Sequence, residues 1–282
     1  MRTAEDVATV RRCTTGWRRL GHRIAFVPTM GAIHAGHVSL VRRARASADY
    51  VVASIFVNPL QFGPGEDYRN YPRPASRDRL ILQRERVDLL WKPKVADLYP
   101  EPDRTRVRVQ ELDRKLEGAS RPGHFEGVAT VVLKLLNVVR PDVLWLGQKD
   151  AQQARLIEQM CRDLHLDVTV RRGPTVREPD GLAWSSRNRY LKAAERAQAV
   201  ALARGLAAAL HALQNGERSA ARLKAAVRRV LSEYPKVKED YVEVADAKSL
   251  EPLRRVRGRV LVAVAARVGR ARLIDNLEWE AR

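Results

Sequence analysis

Cysteine is almost missing from this chain. Cys13 and Cys161 are the only two, and neither has ligand-type residues clustered near it, so a disulfide framework and a zinc site both fall away. Two inert thiols are expected instead. Long apolar runs are also missing. No stretch approaches the roughly 20 residues needed to span a bilayer, and Met1 does not open a secretory signal pattern. A soluble cytoplasmic protein without a membrane partner is therefore expected. Acids are scarce beside bases, 33 against 52, which leaves +19 on 282 residues. Such an excess fits either nucleic acid or a small anionic substrate. The arginines are dispersed, however, as in "RRLGHR", "RRARAS" and "SSRNR", and no basic stripe is interleaved with base-stacking aromatics. Nucleic acid is accordingly not expected as a partner. Repeats and low-complexity tracts are absent as well. What remains, 45% hydrophobic and 30% charged, is an ordinary globular composition with length for one large domain or two modest ones.

Up to about residue 175, short β-branched runs alternate with helical patterns: "RIAFVPT", "AGHVSLVRRARASA", "YVVASIFVN", then "SRDRLILQRERV", "DLLWKP", a short strand at "RVRVQEL", "FEGVATVVLKLLNVV", "DVLWLG", "KDAQQARLIEQMCRDL" and "DVTVRRGP". Near-continuous apolar strands separated by helices predict a parallel sheet covered on both faces. Sheets of this kind bind ligands beyond the C-terminal ends of their strands. The loops that directly follow strands, "PTMG", "NPLQFGPGEDY" and "GQKD", are therefore the informative ones. From residue 176 the texture changes to two alanine-rich helical patterns, then "DYVEVADA", "RVLVAVAARV" and "ARLIDNLEW", the last two joined at "GR". A two-residue hairpin is expected there. The expected division is a domain over 1–175 and a smaller α+β domain over 176–282.

Four constellations carry chemistry. His34 and His37 flank Ala35 and Gly36 where the first apolar strand turns into a helix. A zinc site would need further ligands, and no H-E-x-x-H or cysteine pair supplies them. A helix N-terminus attracts phosphate through its free N–H groups, Gly31 and Gly36 permit close backbone approach, and imidazoles add donors that exchange protons near neutrality. The alternative is two histidines in a capped helix by chance. In "KDAQQ", Lys149 stands at a strand end and offers a point charge to phosphate oxygens, although a solvated helix start would look the same. "WSSRN" gathers Ser185, Ser186 and Arg187, hydroxyls and a guanidinium fork suited to a polyphosphate, or simply a serine cap. "SIFVNPLQF" ends a strand on Asn58 and Gln61, neutral amides suited to hydroxyl and carboxylate groups, or to capping a turn at Pro59.

Taken together, "VPTMGAIHAGHVSLV", "SIFVNPLQF", "EDYRNYPR", "LEGASRPGHFEGV", "GQKDAQQ", "REPDGLAWSSRNRYL" and "ARLIDN" resemble the pantothenate synthetase (pantoate–β-alanine ligase) family over residues 27–276. The resemblance implies a Rossmann-like, doubly wound α/β domain of the H-x-G-H nucleotidyltransferase type with a C-terminal lid. It implies ATP-dependent joining of pantoate to β-alanine through a pantoyl adenylate, with ATP as co-substrate, Mg²⁺ as cofactor and a homodimer. It further implies that Met30, Gly31, Ala32, Ile33, His34, Ala35, Gly36 and His37 line the ATP site, with His37 as proton donor and His34 beside it. Gly147, Gln148, Lys149 and Asp150 would contact nucleotide, Val176 its adenine side, and Trp184, Ser185, Ser186 and Arg187 the triphosphate. Gln61, Gln153 and Asn58 would hold pantoate or β-alanine, and Asp78 is the acid that matches a magnesium ligand. The catalytic set is then His34, His37, Lys149 and Arg187. The chain departs from the family pattern at Gln148, where glutamate is common, at Ala151 for an aromatic, at Trp184 for methionine and at Arg77 for an acid. Another H-x-G-H nucleotidyl-transfer enzyme is the alternative reading.

Overall fold

A computed structural model describes residues 1–280. The chain divides into two compact units, Met1–Gln148 with Gln153–Pro174, and Lys149–Gln152 with everything from Thr175 onward.

The first unit is built on β1 (Arg2–Ala4), α1 (Val7–Arg19), β2 (Ile24–Thr29), α2 (Ala35–Ser47), β3 (Tyr50–Ile55), α3 (Ala75–Arg84) and β4 (Leu89–Trp91). The short helices α4 (Val95–Leu98) and α5 (Leu116–Ser120) follow, then α6 (His124–Val139), β5 (Val143–Gly147), α7 (Ala151–Asp163) and β6 (Thr169–Gly173). The six strands form one sheet in the order β1-β4-β3-β2-β5-β6, and every pair is parallel. This is the expected Rossmann-like architecture. Successive residues of a strand face opposite sides. Ala25, Val27, Val51, Ala53 and Leu90 pack with Leu40, Val41 and Ala44 of α2 and Leu82 of α3, while α1 and α6 pack on β2.

Strand order reverses at β2, which has β3 on one side and β5 on the other. Its pairing with β3 runs to Thr29, but its pairing with β5 is confined to Ala25 and Phe26. Pro28 has no N–H to give either neighbour. The sheet therefore opens between β2 and β5 toward their C-terminal ends, where parallel sheets receive ligands.

The segment "RVRVQEL" is not a strand. Its alternation has another cause: Val109 is buried, and the N–H of Val107 donates to the Thr130 hydroxyl at 2.9 Å. A side chain of α6 thus takes the place of a strand neighbour.

The second unit contains α8 (Ala193–Ala199), α9 (Ala201–Gln214), α10 (Ala220–Ser232), β7 (Val237–Asp246), β8 (Arg259–Val268) and β9 (Ala271–Glu280). The first alanine-rich pattern is thus two helices, parted at Val200. The strands make an antiparallel sheet in chain order, and Val260, Val262, Val264, Ala266 and Val268 of β8 pack against Leu202, Leu206, Leu223 and Val227. The β8–β9 turn is Gly269-Arg270, with Val268 paired to Ala271 and Gly269 at φ +58°, as two-residue hairpins require.

One glycine fixes the strand-end loop after β3. A Cβ on Gly127 of α6 would stand 2.3 Å from the Leu60 carbonyl oxygen and 2.7 Å from the Gln61 nitrogen, both backbone atoms that cannot rotate away. Gly127→Ala is expected to destabilise the protein by at least about 2 kcal/mol through overpacking. Urea unfolding should show a lower midpoint at unchanged m-value.

Candidate active site

The chain leaves β2 through a turn that L-residues resist. Gly31 lies at φ +84° and Ala32 at φ +50°, both in the left-handed region where a Cβ is penalised. Three interactions secure the turn. The Thr29 hydroxyl donates to the Ser54 carbonyl at 2.7 Å and accepts from the Gly31 N–H at 3.1 Å. The Ala32 and Ile33 N–H groups donate to the two carboxylate oxygens of Asp78 at 2.7 and 2.8 Å. Asp78 is fully buried in the first turn of α3.

After this turn His34 takes the N-cap position of α2, its Nδ1 accepting the Gly36 N–H at 3.2 Å. A nitrogen that accepts carries no proton, so His34 is held as the neutral ring with its N–H at Nε2. His37 lies one turn on, its ring centroid 4.1 Å from that of His34. The structure thus gathers the two imidazoles at the start of one helix, beside the opening of the sheet. Met30, also in the turn, accepts through its sulfur from Gln61 Nε2 at 3.0 Å.

Gln61 and Asn58 belong to a buried polar network. Asn58 Nδ2 donates to Gln61 Oε1 at 3.2 Å and to the Gly127 carbonyl at 3.0 Å, and Asn58 Oδ1 accepts from the Tyr99 hydroxyl at 2.7 Å and the Leu60 N–H at 3.3 Å. These four bonds exhaust an amide's capacity. In this arrangement Asn58, expected to hold pantoate or β-alanine, orients the side chain of Gln61. Gln61 Nε2 faces only a thioether, a weak acceptor that a ligand oxygen would readily replace.

The backbone carbonyl of Gln61 is gripped by residues that carried no expectation. Arg121 donates to it at 3.1 Å and forms a bidentate pair with Glu66 at 2.7 and 2.6 Å. The same guanidinium meets His124 Nε2 at 3.1 Å, and His124 Nδ1 lies 2.8 Å from the Gln61 carbonyl. Since arginine only donates, Nε2 must accept, and the ring is neutral with its proton on Nδ1. Burial first, then the Arg121 charge, push His124 down to about 4 from its ordinary 6.5. Burial also opposes the Glu66 charge, but the Arg121 pair outweighs it and holds that carboxyl below its usual value. The sequence signal for this network was "RPGHFEG" itself, a histidine and an arginine beside glycines at a helix start.

Gly147 ends β5, and Gln148 Oε1 accepts from Arg172 at 3.2 Å. The amide of Gln148, one of the positions noted as departing from the family pattern, thus contacts Arg172. Gln153 is half-buried in α7, and Arg77 is exposed, so the latter departure falls on solvent.

Lys149 Nζ lies 3.3 Å from Asp150, and the Lys149 carbonyl accepts from Asn276 Nδ2 at 2.8 Å. The Trp184 N–H donates to the Val176 carbonyl at 3.0 Å, and Arg177 pairs with Ala183 as an antiparallel bridge. These bonds fold 176–184 into a small loop. Buried Asp275 receives both Arg177 Nη atoms at 2.6 and 3.0 Å. Adjacent residues of β9 therefore hold the two stretches expected at the nucleotide, Asp275 through Arg177 and Asn276 through Lys149. Ser185 caps the following 3₁₀ turn by accepting the Arg187 N–H at 3.3 Å, Ser186 is buried, and Arg187 is half-buried.

The expected magnesium ligand does not fit its role. Both Asp78 oxygens are engaged by backbone N–H groups, and among the described residues no group of three or more histidine, cysteine or acidic side chains is placed to hold a metal ion.

The model of the pantoate-beta-alanine ligase family matches residues 2–278. A pantothenate synthetase from Thermotoga neapolitana is 52% identical over 276 residues, covering 98% of this chain and 99% of its own. Among solved structures, a pantothenate synthetase from Thermus thermophilus superposes with TM-score 0.94 at 46% identity, covering 98% of this chain and 99% of its own. A pantoate-beta-alanine ligase from Francisella tularensis, complexed with beta-gamma ATP and beta-alanine, gives TM-score 0.80 at 34% identity, with 98% and 97% covered. Agreement along the whole chain does not favour the alternative of another H-x-G-H enzyme.

The neutral His124 carries a pH signature. Above about pH 6.5 the ring is uncharged folded or unfolded, and stability is at its full value. As pH falls from 6.5 toward 4 the unfolded chain binds a proton that the folded ring excludes, so stability declines by up to ~3 kcal/mol and then levels. His124→Asn keeps a donor toward Gln61 without titrating. Urea unfolding at pH 7.5, 6.5 and 5.5 should show the decline in wild type and its loss in the variant.

Proposed function

From the premise that this chain belongs to the pantoate–β-alanine ligase family, we propose residue roles for the ATP-dependent joining of pantoate to β-alanine. A pantoate carboxylate oxygen attacks the α-phosphorus of ATP, the bond from that phosphorus to the β-phosphate bridge breaks, and pyrophosphate leaves with the electron pair. The β-alanine nitrogen then attacks the acyl carbon, the carbon–oxygen bond to AMP breaks, and the new amide sheds a proton as AMP departs. No covalent enzyme nucleophile enters.

The observation that carries this reading is the imidazole pair at the start of α2, held beside the opening between β2 and β5. Carboxylate and triphosphate repel, so positive and donor groups must compensate charge that develops on the leaving pyrophosphate. His34, fixed as an Nε2–H donor, serves as a hydrogen-bond donor to phosphate. His37 has the role of proton donor. Lys149 and Arg187 contribute fixed charge, Gly147–Asp150 and Trp184–Arg187 contact the nucleotide, and Val176 meets the adenine side. Gln61 and Gln153 hold pantoate, the former aimed by Asn58. The Francisella tularensis complex supports ATP and β-alanine as ligands.

Magnesium accompanying ATP would bring positive charge to the phosphates and, being reluctant to dehydrate, would need no protein ligand; no step here is assigned to it. No described helix is long and apolar enough to cross a membrane. A cytoplasmic homodimer is proposed from family resemblance.

Purified protein given ATP, Mg²⁺, pantoate and β-alanine should release AMP and pyrophosphate, with sustained AMP release requiring both organic substrates. Turnover that ignores the amine would overturn the assignment. His37→Ala and Lys149→Ala should each lower kcat by about 10²–10⁴-fold at unchanged unfolding midpoint. Asn276→Ala, which removes the hydrogen bond to the peptide carbonyl of Lys149, should lower it by a smaller factor.

A further inference from the structure

Asp78 is a buried carboxylate to which the proposed reaction assigns no chemical step. Its Oδ2 accepts the Ala32 N–H and its Oδ1 the Ile33 N–H, the two amides that follow the left-handed Gly31. The carboxylate presses on the same turn sterically: a Cβ on Gly31 would stand 3.0 Å from Asp78 Oδ2 and 3.0 Å from Ile55 Cγ2. Glycine, acid and turn therefore form a fitted set. Asp78 comes from α3, 46 residues along the chain from Ala32, and sits in that helix's first turn, where the dipole favours an anion.

We propose that Asp78 is a positioning residue for the phosphate-transfer step and not a magnesium ligand. By holding both amides it fixes where the chain enters α2, and so where His34 caps that helix and where His37 stands one turn later. Ala32 in a left-handed conformation gains nothing locally from staying there. A paired acceptor that satisfies two buried N–H groups at once is what retains it. A metal ion would have to compete with both amides inside a site sealed from water. The inference rests on the assignment of His34 and His37 to the nucleotide, and its first test reads the carboxylate without any turnover.

In wild-type protein with assigned amide resonances, Mn²⁺ alone at millimolar concentration should leave the Ala32 and Ile33 signals no broader than those of buried sheet amides. Selective broadening of these two would mark Asp78 as a metal ligand and overturn the proposal. Asp78→Asn presents an N–H₂ where one amide needs an acceptor. It should raise the exchange rate of the Ala32 and Ile33 amides at least tenfold, shift the His37 ring resonances, and lower kcat at saturating substrates at least tenfold. The magnesium concentration for half-maximal rate should stay within twofold of wild type. A kcat within twofold of wild type, or a tenfold higher magnesium requirement with amide protection intact, would overturn it. Should the variant not fold, exchange of the two amides in wild-type protein decides: protection equal to the sheet amides supports the clamp, and exchange at exposed-loop rates overturns it.

Discussion

A turn made against the grain of its own residues is the constraint from which the first unit's site follows. At the end of β2 the backbone passes through two left-handed positions, one of them an alanine. Such a conformation costs of order 1–3 kcal/mol for a residue with a Cβ and persists only where neighbours over-determine it. Here the neighbours are Thr29, bonded both to β3 and to Gly31, and Asp78, bonded to the next two amides. The consequence is directional. Strand β2 delivers the chain to the point where the sheet parts, and the turn redirects it so that α2 begins there with both imidazoles in its first turn.

The same logic of fully engaged polar groups repeats away from that turn. Asn58 spends every hydrogen-bonding position on protein, which leaves Gln61 with one orientation and a soft thioether partner. Arg121, Glu66 and His124 hold the Gln61 carbonyl from the other side. An unpaired polar group in such a place would cost about 1–3 kcal/mol, so each member fixes the next. In the second unit Asp275 and Asn276 do comparable work from one strand. Neither is a plausible reactant. The sequence "IDN" makes sense as two short polar side chains on a rigid strand, one binding a guanidinium and the other a peptide carbonyl.

Much of this was legible before any coordinates. The strand-helix alternation gave the parallel sheet because apolar period and length are local properties, and the H-x-G-H pattern stood out because imidazoles beside glycines are rare at a strand end. What stayed hidden depends on partners distant in the chain. Asp78 announces itself as an acid near a helix start, but nothing adjacent says that its partners lie 46 residues earlier, and the family resemblance points to a metal instead. Arg121 meets Glu66 across 55 residues. "RVRVQEL" misled for the opposite reason: its alternation is local and real, but its backbone donor goes to Thr130 on a helix. The break at Val200 was equally invisible, since alanine-rich sequence continues through it.

The two histidines, so alike in sequence, are set apart by a single hydrogen bond, and the roles proposed for them rest on it. His34 must keep Nδ1 unprotonated to cap α2, so protonating it there would remove a cap worth about 1 kcal/mol to the helix. Its remaining N–H at Nε2 can donate but cannot shuttle a proton without breaking the cap. In the proposed reaction proton exchange is assigned to His37, which lies inside the helix. One imidazole at the N-cap and the other a turn inside are thus a repeated residue in two different settings, and the roles proposed for them, fixed donor and proton carrier, follow that difference.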